Sequence, residues 1–223
     1  MRHIGYFLLA ATAALALPSS SNAVGLKNCH SGNGSAEKKI QETWADSVLS
    51  SLTLRERIGQ LFMVAAYSNR DDMHVREIAD LVRKDGVGGL IFFQGGPVRQ
   101  ANLTNYYQSL AEVPLLVGMD AEWGLGMRLD STFSYPRQMM LGAAQDSALV
   151  YEMAADIARQ LKRMGVHINF APVVDINSNP QNPVINTRSF GENVNLVSRY
   201  GKAYVSGLQD NGVMACAKHF PGH

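Results

Sequence analysis

Two carboxylates, Asp120 and Glu122, follow the apolar run at residues 115–119. If that run is a strand reaching so far, both side chains fall on one face, because alternate residues of a strand share a face. Two neighbouring carboxylates suit acid and base work, or the pair that flanks a glycosidic bond. In a quieter role Asp120 accepts hydrogen bonds from substrate hydroxyls while Glu122 organises its loop. The simplest alternative is a loop carboxylate paired with Arg128. Trp123 beside them either offers an apolar face to a ligand or packs within the loop.

Two further groups stand at similar places. Asn186-Thr-Arg188-Ser-Phe190 follows Asp175 and sets an arginine among polar and aromatic neighbours. The Arg188 guanidinium suits a hydroxyl or carboxylate of a ligand. Otherwise it pins its long loop by an ion pair, with Asp175 or Glu192 as partner. The run 213–219 ends in Lys218-His219, followed by Phe220-Pro-Gly-His223. Lysine and histidine after an apolar strand need partners, because unpaired buried charge is costly. Lys218 could form a Schiff base, or Lys218 and His219 could donate to sugar hydroxyls. Metal binding by His219 and His223 is disfavoured, since Pro221-Gly222 breaks the helix that would set them on one face. His167 opens its strand at the far end and reads as structural.

The elements that hold these groups alternate. Candidate strands are 61–66, 89–93, 115–119, 167–171 and 213–219, nearly continuous apolar runs of the kind found in parallel sheets covered on both faces. Helical patterns lie at 73–84, 97–111, 147–164 and 193–210. Val150, Met153, Ile157, Leu161 and Met164 keep the 3–4 spacing of one helical face, with Asp146 to cap its start and Gly165 its end. Thr53-Leu-Arg-Glu56 reads as a capping box, and Gly95-Gly96-Pro97 as a turn delivering proline to a first helical position. This order gives an α/β class. Long loops at 120–145 and 172–192 gather at the carboxyl ends of strands, where both the open doubly wound sheet and the (β/α)8 barrel keep their sites. No G-x-G-x-x-G follows a strand, which argues against dinucleotide binding; the preference for the barrel rests in part on the resemblance described below.

Composition narrows the classes further. Of 223 residues 46% are hydrophobic and only 17% charged, which excludes a disordered or coiled-coil chain. The 20 basic and 19 acidic residues nearly cancel, so no nucleic-acid footprint is expected. Arg2 and His3 precede an apolar run to Leu17, and Ser21-Asn22-Ala23 closes it in the manner of a cleaved secretory signal. Residues 1–23 are therefore expected to be a signal peptide, too short an apolar run for a comfortable membrane span, and the protein to be exported, periplasmic or extracellular. Cleavage removes Arg2 and the single net positive charge. No transmembrane segment is expected after that cleavage, and no cofactor. Residues 24–44 read as a polar leader and N-terminal helical segment. Cys29 and Cys216 are expected to be free thiols.

Together the motifs are similar to those of the glycoside hydrolase family 3 N-terminal barrel, in its β-N-acetylhexosaminidase branch. Four segments carry the resemblance: Ile58-Gly-Gln-Leu-Phe-Met63; Met119-Asp-Ala-Glu122 with Arg128; Phe170-Ala-Pro-Val-Val-Asp175 with Asn186-Thr-Arg-Ser-Phe-Gly191; and Ala217-Lys-His-Phe-Pro-Gly-His223. The resemblance spans residues 45–223 and implies a (β/α)8 TIM-type barrel truncated after about strand five, with further domains on the parent chain. By motif position it implies that Asp120, Arg128, Arg188, Lys218 and His219 bind an N-acetylglucosamine-containing saccharide. It places the nucleophilic Asp and the acid/base His beyond His223, so no catalytic residue is expected in this chain. The expected parent is a retaining exo-acting glycosidase of cell-wall or chitin-type saccharides. A β-glucosidase, a Schiff-base lyase using Lys218 and a non-catalytic sugar-binding protein are the alternatives. Trp123 departs from the small residue commoner at its place.

Overall fold

A computed structural model describes residues 6–8 and 44–223. Most of the expected signal peptide, the polar leader to residue 43 and Cys29 lie outside the described residues. Six strands form one sheet: β1 (Tyr6–Leu8), β2 (Phe62–Ala66), β3 (Gly89–Phe92), β4 (Leu116–Met119), β5 (Ile168–Asn169) and β6 (Met214–Ala215). β1 runs antiparallel along the outer edge of β2, with Tyr6 opposite Val64. From β2 to β6 every pairing is parallel and every neighbour is the next strand in sequence.

That unbroken order decides between the two candidate architectures. A doubly wound sheet reverses its strand order at a switch point; here each crossover steps one strand onward, as in a (β/α)8 barrel. The crossovers are α3 (Asp72–Asp85), α4 (Pro97–Leu110), α6 (Ser147–Arg163) and α7 (Val194–Gln209). Helical residues 44–51, here α1, and α2 (Leu54–Gly59) precede β2. The expected signals act where they were read. Thr53 and Glu56 close a reciprocal capping box, Asp146 accepts from Ala148 N–H, and Pro97 opens α4 after Gly96. Asp71 and Asn193 cap α3 and α7 in the same way.

β5 and β6 are shorter than their apolar runs suggest. Pro172 has no N–H to give a ladder, and the two segments go on side by side with irregular bonds. Cys216 N–H reaches both Asn169 and Ala171 carbonyls, and Val174 N–H donates to the Lys218 carbonyl at 2.6 Å. Lys218 thus arrives at the carboxyl end of the sheet on a strand-like but non-ladder path. The long loops also contain structure that periodicity did not foretell: α5 (Gln138–Ala144) and 3-10 turns at Leu125–Met127 and Asn186–Arg188. α5 presses on the second loop, since a Cβ on Gly142 would stand 1.9 Å from the Phe190 carbonyl oxygen.

The core lies between the sheet and its helices. Val64, Leu90, Phe92, Val117 and Met119 are fully buried with Val150, Ile157 and Leu161 of α6 and Tyr200, Tyr204 and Leu208 of α7. Each such aliphatic side chain is worth about 1.5–3 kcal/mol of burial. No helix among the described residues is long and apolar enough to cross a membrane.

Candidate functional site

At the carboxyl ends of the strands five charged side chains form one alternating row. Arg128 Nη2 donates to Asp120 Oδ2 at 2.7 Å, and Lys218 Nζ donates to Asp120 Oδ1 at 2.9 Å. The same ammonium lies 2.8 Å from Glu122 Oε1. Glu122 is then gripped by Arg188 through both oxygens, with Nη2 at 2.6 Å and Nε at 2.9 Å. Glu122 is almost wholly buried, yet such a charge is tolerable when paired and fully hydrogen-bonded. Burial opposes ionisation of Asp120, but Lys218 and Arg128 outweigh it and hold the carboxyl below its ordinary value. Glu122 behaves alike: burial raises it, while Arg188 and Lys218 pull it lower still.

The row borders a cavity of about 370 Å³ whose polar rim is Asp120, Glu122, Arg128, Arg188, Lys218 and His219. Its apolar lining is Met63, Ile91, Phe93, Met127 and Phe170. The Arg128 guanidinium rests over the Phe93 ring, 4.7 Å from its centre. An apolar floor with convergent charged groups is the usual make-up of a small-molecule site. A larger hollow of about 570 Å³ lies on the far side of the barrel wall, between α2 and α3. It is lined mainly by apolar side chains and carries none of this chemistry.

Three buried residues fix the row in place. Asn169, the last residue of β5, accepts from Ala121 N–H at 2.9 Å and donates to the Ala121 carbonyl at 3.2 Å. Tyr204 of α7 directs its hydroxyl at the Ala121 and Glu122 carbonyls, 3.2 and 3.1 Å away. Burial pushes the Tyr204 phenol up, so it remains a donor. These bonds hold the backbone between the two carboxylates and aim both at one ammonium. Asp175 supports the other side: His219 Nδ1 lies 2.6 Å from its Oδ2, and His223 N–H donates to Oδ1 at 2.9 Å.

All five sequence-predicted binding residues, Asp120, Arg128, Arg188, Lys218 and His219, meet at this cavity. One expected pairing differs: Arg188 binds Glu122, not Asp175 or Glu192. Asp175 is engaged by His219 and His223, and the turn at Asn186–Arg188 carries the guanidinium across to Glu122. The simple pairing of Asp120 with Arg128 is present, but it is one link of the longer row. Trp123 lies under the Arg137 guanidinium, 4.4 Å from its ring centre, and does not line the cavity. Sequence reasoning missed Asn169 and Tyr204. A polar residue inside the apolar run His167-Ile-Asn169-Phe-Ala was a usable signal, because it must find a partner when buried. His167 Nδ1 accepts from Val117 N–H and serves the sheet. Cys216 is free, and among the described residues no group of three His, Cys, Asp or Glu is placed to hold a metal ion.

The chemistry open to this arrangement is binding through hydroxyls. Lys218 Nζ is held between Asp120 and Glu122, at 2.9 and 2.8 Å, and so presents hydrogen-bond donors. Asp120 and Glu122 face one cation together, not opposite sides of a bond.

The model of the glycosyl hydrolase family 3 N-terminal domain matches residues 53–223. Among curated proteins, beta-hexosaminidase A of Pseudoalteromonas piscicida is 38% identical over 160 residues, which is 66% of this chain and 27% of that protein. A beta-N-acetylglucosaminidase/beta-glucosidase of Cellulomonas fimi is 32% identical over 179 residues, 80% of this chain and 31% of its own length. Among solved structures, a glycoside hydrolase family 3 beta-N-acetylglucosaminidase of Paenibacillus sp. str. FPU-7 superposes with a TM-score of 0.68 at 41% identity, covering 77% of this chain and 34% of the other. The chain thus spans about a third or less of the length of each of these relatives.

Proposed function

The chain belongs to the glycosyl hydrolase family 3 N-terminal domain family, and on that premise we propose that its parent protein is a retaining exo-β-N-acetylhexosaminidase. It removes terminal N-acetylglucosamine from the non-reducing ends of cell-wall or chitin-type saccharides. The observation that carries this reading is the row Arg128–Asp120–Lys218–Glu122–Arg188 along one cavity. Ion-paired carboxylates and cations present fixed acceptors and donors to a ring of hydroxyls, while the apolar lining meets the ring face. Asp120 and Lys218 take hydroxyls of the terminal sugar, with Arg128, Arg188 and His219 around it. The names of the relatives support the acetylated sugar.

The reaction needs a nucleophile on one side of the anomeric carbon and an acid/base on the other. In this reading both come from parent sequence following His223, as the short coverage of each relative supports. The present chain supplies the sugar site. Residues 1–23 act as the export signal, which makes the protein periplasmic or extracellular.

A β-glucosidase is the second reading, favoured by the dual name of the Cellulomonas fimi relative. The test compares nitrophenyl N-acetyl-β-glucosaminide with nitrophenyl β-glucoside. The full-length parent is expected to hydrolyse the first far faster, and the 223-residue chain to hydrolyse neither. A glucoside preference, or purification-resistant turnover by the short chain, overturns the assignment.

A further inference from the structure

Unlike Asp120 and Glu122, Asp175 at the cavity end of the sheet forms no salt bridge with a lysine or arginine among the described residues. Its side chain is 1% exposed, and what surrounds it is the segment that follows β6. Oδ1 accepts His223 N–H at 2.9 Å, and Oδ2 accepts His219 N–H at 3.2 Å while lying 2.6 Å from His219 Nδ1. Burial opposes its ionisation, but the His219 ring and the His223 N–H hold the carboxyl below its ordinary value. An ionised carboxylate has no hydrogen to offer. The short contact to Nδ1 therefore requires the hydrogen to sit on the imidazole.

A neutral imidazole carries one N–H and one bare nitrogen, and the partner of one nitrogen sets the state of the other. In the neutral ring, with Nδ1 committed to Asp175, Nε2 is the bare one. No protein group among the described residues hydrogen-bonds to Nε2, and the ring lines the cavity beside Lys218 and Arg188, with the His223 ring edge-on at 4.8 Å. The other polar groups there are cations that donate, or carboxylates already bonded to those cations. A neutral acceptor is what the rim otherwise lacks.

We infer that Asp175 is a positioning residue: it locks His219 as the Nδ1–H tautomer and thereby leaves Nε2 to accept a hydrogen bond from a ligand hydroxyl. In the neutral ring the tautomer follows from the 2.6 Å contact to Asp175, whose oxygens also accept the His219 and His223 N–H groups; its use by a sugar hydroxyl rests on the function proposed above. Asp175 touches no substrate in this account and acts through the ring.

Ring-nitrogen NMR of the ¹⁵N-histidine-labelled full-length parent at neutral pH decides the first part without any sugar. The expected His219 signal, assigned by its absence from His219→Gln, shows a protonated Nδ1 and an unprotonated Nε2. The opposite tautomer, an even mixture, or a ring protonated at both nitrogens overturns the proposal. Nε2 use is then read from N-acetylglucosamine affinity in a double-mutant cycle. Asp175→Asn is expected to weaken binding roughly tenfold in the native background, the scale of one hydrogen bond. In His219→Gln, whose amide oxygen stands near the Nε2 place, the same change should cost less than twofold. An equal cost in both backgrounds means that Asp175 only holds the loop, and sinks the inference. If the native protein binds no N-acetylglucosamine while the tautomer is as expected, the sugar reading falls and the lock stands.

Discussion

Glu122 sets one nearly buried carboxylate between Lys218 and Arg188, and neither cation has enough solvent to stand alone. Glu122→Gln removes the shared counter-charge, leaving Arg188 without a carboxylate partner and Lys218 with Asp120 alone. Breaking one partner of a buried pair typically costs about 3–5 kcal/mol. A loss near the lower end is expected here, because Lys218 keeps Asp120 and Arg188 keeps some water. The pH dependence follows from the depressed carboxyls. Asp120 and Glu122 titrate in the fold below their ordinary values of 3.8 and 4.5. Their contribution is complete above those values and is lost as pH falls through the lower folded ones. The urea midpoint of the full-length parent should therefore hold steady near neutrality and drop as pH falls below about 4.5, where these carboxyls begin to protonate in the unfolded chain while the folded ones still resist. In Glu122→Gln the midpoint starts lower and the acid drop is smaller. An unchanged midpoint for that variant at neutral pH contradicts the row.

Elements carry the site differently from how they appear in the sequence. The helices were legible because their signals are local: a 3–4 apolar spacing, an Asp or Asn cap, a proline at the first position. α5 was not, since Arg137 makes no side-chain cap bond and seven residues give too little periodicity to read. The strand ends at Asn169 and Ala215 were also illegible. They depend on Pro172 lacking an N–H and on the Asn169 side chain taking the Ala121 backbone instead. Asp120, Arg188, Lys218 and His219 could be read because chemistry-bearing residues followed apolar runs. Their supports span 48 residues between Asn169 and Ala121, and 83 between Tyr204 and Ala121, separations that no local pattern encodes. Tyr204→Phe tests that support. Two buried carbonyls then share no hydroxyl, a loss of about 1–2 kcal/mol. The Michaelis constant for the N-acetylglucosaminide should rise with the slackened row. A Tyr204→Phe enzyme with native stability and native kinetics would show that α7 does not position the carboxylates.

Over the whole molecule the sequential parallel sheet makes one continuous wall, and the charged groups all stand at its carboxyl end. The described chain contributes five parallel strands to a barrel type that closes with eight. Before the proposed export signal is removed, Tyr6–Leu8 runs antiparallel on the outer edge of β2, where an eighth strand would close such a barrel. The near balance of 20 basic and 19 acidic residues suits a neutral sugar met by a few placed charges instead of a charged surface. The division of labour proposed here puts recognition in this chain and bond cleavage in the parent sequence that follows. A crystal structure of the full-length parent with N-acetylglucosamine tests that claim most directly. The sugar ring is expected in the cavity with its hydroxyls on Asp120, Lys218 and His219. A sugar bound elsewhere, with the Arg128–Asp120–Lys218–Glu122–Arg188 row undisturbed and its cavity empty, would contradict it.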